Sequence, residues 1–153
     1  MSEASVRVLR RFRLVFNAVK AHFQQVEKLA GVGGAQLWAL SVVAARPGLG
    51  VTHLAREMDV HQSTASNLVR SLVERGLITA TRASADRRAV QLHLLPAGRR
   101  VLRRAPGPLA GLLPQALDSL DEATLARLDA DLARLIDVLG VDLGHAKVPL
   151  GQR

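Results

Sequence analysis

The chain has 153 residues, enough for one compact domain with a substantial core and too few for two ordinary domains. Its 21 Lys and Arg against 13 Asp and Glu give a formal charge of +8, which favours a polyanionic partner, nucleic acid or an anionic membrane surface. Cysteine is absent, so disulfides, thiolate metal sites and thiol redox sensing are excluded.

No run of about 18 apolar residues is present, which argues against a membrane span, and the Arg-rich start does not read as a signal peptide. A cytoplasmic protein is expected. The charge is unevenly placed: residues 77–104 hold seven arginines and one acid, Asp86, whereas residues 118–142 hold seven acids against Arg127 and Arg134. One part is suited to meeting negative charge and another is not.

In chain order, residues 5–29 read as a long amphipathic helix. Leu9, Phe12, Phe16, Val19, Phe23 and Val26 alternate three and four apart, the pattern of a helix-packing seam. That stripe suits core packing and self-association equally. Gly31, Gly33 and Gly34 break the helix without forming a phosphate-binding fingerprint, since G-x-G-x-x-G is missing and no strand precedes them. A second helix is expected over 35–46, carrying Leu37, Trp38, Leu40 and Val43, and Arg46-Pro47-Gly48 ends it.

Residues 51–76 carry the constraints of a helix-turn-helix. Ala55 is small where two helices must approach, and Leu54, Met58, Val60, Ala65 and Leu68 flank the crossing. Asp59 stands where the turn needs a left-handed backbone, usually a glycine position. In the second helix, 62–75, Ala65, Leu68, Val69, Leu72 and Val73 form the expected buried stripe. Gln62, Ser63, Thr64, Ser66, Asn67 and Arg70 are expected on the outer face, which is polar and acid-free over its first two turns. Such side chains suit base edges and phosphates, where a merely solvated face would more often be rich in Glu and Lys. Gly76 closes the helix with Leu77 packing back.

Residues 77–82 and 90–95 then read as two strands, joined by a polar hairpin over 83–89 with Arg87 and Arg88 at its tip. Arginine on a projecting loop suits a narrow minor groove. Asp86, otherwise repulsive to DNA, is placed to hold Arg88 in shape.

Residues 97–118 read as helical but divided by Pro106-Gly107-Pro108 and Pro114. Leu125, Leu128, Leu132, Leu135 and Leu139 form a second long seam. Residues 141–153 show no periodicity and read as a mobile tail. The organisation expected is a dimerisation helix over 1–34, a DNA-binding module over 35–96, dimerisation helices over 97–140 and the tail over 141–153, all within one domain. The fold class is mainly α (α+β): a winged helix-turn-helix whose terminal helices form a dimerisation region.

Leu54-Ala55, Val60, Ser63 through Val69, Leu72 through Ile78, and Asp86-Arg87-Arg88 followed by Leu92 and Leu94 resemble the MarR (multiple antibiotic resistance regulator) family of bacterial winged-helix transcription factors, over about residues 5–140. The resemblance implies a homodimer built through the terminal helices. It places the helix from Gln62 in the major groove of double-stranded DNA, with Arg88 in the minor groove. It also implies a small aromatic acid as effector, bound between the dimer helices and the winged module, with Arg13, His22 and Trp38 as candidate contacts. Read on their own, Trp38 is a core residue and His22 a surface one. His22, His53, His61, His93 and His145 lack the spacing of a metal-ligand pair, so no metal or cofactor is expected.

The sequence therefore favours a sequence-specific DNA-binding regulator, a ligand-responsive repressor of a pseudo-palindromic operator. The alternative is a winged helix used as a protein–protein interaction module without DNA binding. With no nucleophile–base constellation, metal cluster or phosphate loop in the sequence, an enzyme is not expected.

Overall fold

The computed structural model describes residues 1–82 and 89–150. Helix α1 (Glu3–Ala30) begins where the Ser2 hydroxyl accepts from the Ser5 amide and ends at Gly31, which takes the left-handed conformation. Helix α2 (Gly34–Ala45) opens with the Gln36 side chain accepting from the Gly33 amide at 3.1 Å. It is apolar around most of its circumference because it is the central rod: α1, α3, α4, α5 and the sheet all pack on it. Ala35, Leu37, Ala39, Leu40 and Val43 are its buried residues.

Helices α3 (Val51–Glu57) and α4 (Gln62–Glu74) cross at a short turn. Leu54, Ala55, Met58, Val60, Ala65 and Leu68 are all buried at the crossing, as their pattern requires. Asp59 lies in the turn at φ 49°, and the Val60 amide donates to the Ala55 carbonyl at 3.0 Å. Val73 departs from the expected stripe and is exposed. It falls in the last turn of α4, where Leu72 and Leu77 already fill the space against the core.

Strands β1 (Ile78–Arg82) and β2 (Val90–Leu94) pair antiparallel, Ile78 opposite Leu94 and Arg82 opposite Val90. Gly48 and Leu49 run along the free side of β2, the Gly48 amide donating to Leu92 and the Leu92 amide to Leu49. A stretch expected only to end a helix thus also covers an open sheet edge.

Helix α5 (Pro96–Arg104) starts with proline in its first turn, where no amide partner is needed. Pro106-Gly107-Pro108 separates it from α6 (Leu112–Asp118), as expected. Pro114 does not divide α6, because it too sits in the first turn. Helix α7 (Glu122–Leu139) is capped by Asp121 and closed by Gly140. Beyond it the chain is not featureless. Residues Leu143–Lys147 form a 3-10 turn that docks on the helix-turn-helix: the His61 imidazole donates through Nε2 to the Gly144 carbonyl at 2.9 Å, and the His61 amide donates to the Lys147 carbonyl.

Candidate nucleic-acid interface

The outward face of α4 is built by periodicity. Ala65, Leu68, Val69 and Leu72 fix one side of the helix to the core. Gln62, Ser63, Asn67 and Arg70 then fall on the exposed side, with Ser66 half-buried at its border. Arg70 Nη1 donates to Asn67 Oδ1 at 3.3 Å, so these two polar groups, one turn apart, steady each other. No acid occurs on α4 before Glu74.

Thr64 is the exception among the residues expected on this face. It is buried, for it stands one turn before Leu68 on the inner stripe. A hydroxyl is tolerated there near the helix start, but it is turned from solvent. Asp86, Arg87 and Arg88 lie outside the described residues. The strands leading to them do present polar groups outward: Thr81 and Arg82 on β1, Gln91 and His93 on β2.

A second group of residues ties α4 to the junction of α1 and α2. Gln36 Nε2 donates to Ser71 Oγ at 2.8 Å, Arg75 Nη1 donates to Gln36 Oε1 at 3.0 Å, and Arg75 Nη2 donates to the Gly31 carbonyl at 2.6 Å. Gln36 and Arg75 escaped the sequence reading. Their separation of 39 positions leaves no local pattern to notice.

Beside this network lies a cavity of about 590 Å³ between α1 and α4. Phe16, Val19 and Phe23 form much of its apolar wall, and Lys20 and Arg75 are its cations. A smaller one of about 350 Å³ is lined by Trp38 with Met58, Leu113 and the C-terminal segment. Of the candidate effector contacts, only Trp38 lines either cavity. Trp38 is half-buried against the core. Arg13 is exposed and precedes the stretch of α1 that forms the wall. His22 is neither a surface residue nor a cavity contact. Its position one turn before Val26 rotates it into the core, where 8% of it stays exposed, its ring against Phe23.

A tri-helical core, a tight helix-turn-helix and a two-stranded sheet running directly on from its second helix define a winged helix-turn-helix, here set between long flanking helices. The family model of the MarR family matches residues 30–89. A protein of Thauera aromatica, named for a proposed role as transcriptional regulator of the hcr operon, is 38% identical over 101 residues, 65% of this chain. The match spans 56% of that relative's length, little more than half. Among solved structures, a MepR-like protein complexed with pseudoligands superposes with a TM-score of 0.61 at 17% identity, covering 90% of this chain and 94% of that one. FabT of Streptococcus pneumoniae, in complex with DNA, gives 0.56 at 20% identity, covering 89% and 97%. Residues 30–89 thus match the MarR-family module, and the likeness of fold to solved structures extends through the flanking helices.

Proposed function

We propose that this protein is a sequence-specific DNA-binding transcriptional regulator, a repressor that reads a pseudo-palindromic operator as a homodimer. The observation that carries this reading is the exposed, acid-free face of Gln62, Ser63, Asn67 and Arg70 on the second helix of a winged helix-turn-helix. Donor and acceptor groups at that place fit a major groove, and the net charge of +8 supplies long-range attraction to phosphate. FabT, which shares the fold, was solved with DNA.

Effector response belongs to the same reading. The larger cavity touches α4 through Asn67, Leu68, Ser71 and Arg75, so a ligand there bears directly on the reading helix. Its apolar wall, with Lys20 and Arg75 against the single acid Glu27, suits an aromatic acid better than Arg13 and His22 do.

Selection of binding sites from random duplexes, followed by gel-shift titration, tests the proposal. Affinity should fall steeply with salt, by about 0.9 in log K per log salt for each phosphate contact. Asn67→Ala should relax base preference at one position of each half-site by about 1–3 kcal/mol, with unchanged melting. Failure to enrich any sequence, or an Asn67→Ala profile identical to wild type, would defeat this reading of α4.

A further inference from the structure

One charged surface is not absorbed by the helix-and-wing interface. Helix α5 turns Ala97, Gly98, Val101, Leu102 and Ala105 toward the core and leaves Arg99, Arg100, Arg103 and Arg104 exposed. At 3.6 residues per turn the four guanidinium groups span an arc of about 140° opposite the apolar side. No acid occurs in the sequence between Arg87 and Leu117. Among the described residues the ion pairs are Arg7–Glu3, Arg46–Glu57 and Lys147–Asp59, and none involves α5.

Helix stability does not account for this stripe. Arg99–Arg103 and Arg100–Arg104 are like charges one turn apart, which disfavour a helix. The helix dipole rewards Arg103 and Arg104 in the last turn, but it opposes Arg99 and Arg100 near the first. An ordinary solvated face would intersperse acids, as α7 does with Arg127 and Arg134 among Glu122, Asp129, Asp131 and Asp137.

The stripe also has a fixed place. The Leu95 amide donates to the Leu77 carbonyl, and Gly98 lies directly against that same carbonyl and the Leu94 side chain. The first turn of α5 is thereby fastened to the base of the sheet, with its apolar side on α1 and α2. The four arginines are exposed on the side of α5 away from α1 and α2.

Resting on the DNA-binding reading above, we infer that the outer face of α5 is a second phosphate-binding surface. It takes the backbone of duplex DNA flanking the operator, outside the stretch met by α4 and the wing. Arginine suits this role because its fork pairs with phosphate oxygens without demanding a base sequence.

The test compares two duplexes carrying the sequence selected by the wild-type protein. One is the core alone, about 20 base pairs for two half-sites one turn apart, and the other adds about 15 base pairs of arbitrary sequence at each end. The variant replaces Arg99, Arg100, Arg103 and Arg104 with Gln, and a control makes the same change of charge at Arg7, Arg10, Arg11 and Arg13. On the long duplex the α5 variant should lose at least about tenfold in affinity at low salt, with a salt slope shallower by about 2 or more. On the core duplex it should match wild type within about twofold, and the control should not discriminate between the two lengths.

Equal losses on both lengths would reduce the effect to net charge and overturn the inference. So would an α5 variant that matches wild type on both. Conversion of that variant to a monomer in sedimentation would overturn it too, assigning the face to the acidic α7 of a second copy. Those results leave wild-type DNA binding standing; wild type binding neither duplex would instead defeat the DNA-binding reading, and this surface with it.

Discussion

Gly98 shows how much of the geometry rests on single positions. A Cβ there would overlap the Leu77 carbonyl oxygen and crowd the Leu94 methyl, and the carbonyl cannot retreat because it already accepts the Leu95 amide. Gly98→Ala should therefore destabilise the fold by about 2 kcal/mol despite its better helix propensity, lowering the melting temperature by about 6 °C. A melt equal to wild type would mean that α5 can shift off the sheet without cost. Residues of this kind were only partly legible beforehand. Asp59 was, because a helix-turn-helix turn restricts which residues fit at φ 49°. Thr64 and His22 were not: both are polar by type, and only their rotation about the helix axis, one turn from Leu68 and Val26, sends them inward.

The first two helices, the second helix of the helix-turn-helix and both strands followed from their apolar patterns, and their observed ends lie within a residue or two of the expected ones. Cross-element chemistry did not, since Gln36, Ser71 and Arg75 meet only after α2 and α4 pack, and the His61–Gly144 contact joins residues 83 apart. The start of α7 is a local device with a pH signature. Asp121 accepts from the Thr124 hydroxyl at 2.7 Å and from the Thr124 amide at 2.8 Å. The hydroxyl first, then the amide, holds its carboxyl below the ordinary value of 3.8. A depressed folded value means that the cap contributes fully above pH 3.8 and is lost as pH falls through the folded value. The protection of the Thr124 amide, its exchange rate relative to the intrinsic rate at the same pH, should accordingly fall on acidification in wild type and stay flatter in Asp121→Asn, which keeps a neutral acceptor. The same acid response in both proteins would remove Asp121 as the cause.

At the scale of the whole molecule, the core stops short of the terminal helices. Val26 is the only residue of the α1 seam that is fully covered, whereas Phe16 is 65% exposed and Leu14 69%. On α7, Leu128, Leu135 and Leu139 are all exposed, the last at 63%. Two long apolar stripes left open on one small chain are more than scattered surface hydrophobes, and their burial calls for another surface. A second copy is the economical occupant, because a two-fold axis would cover both stripes at once and fix two α4 helices for half-sites one turn apart. The acids of residues 118–142 would then gather in the scaffold, away from phosphate, leaving the arginine-rich half toward DNA. Sedimentation should find wild type as a dimer at micromolar concentration. Phe16→Glu combined with Leu135→Glu should give a folded monomer, since neither residue belongs to the buried core. That monomer should bind operator with about half the wild-type salt slope, each module keeping its own phosphate contacts but acting alone. A wild-type protein that sediments as a monomer would break this account of the stripes, and a double variant that stays dimeric would move the interface elsewhere on the chain.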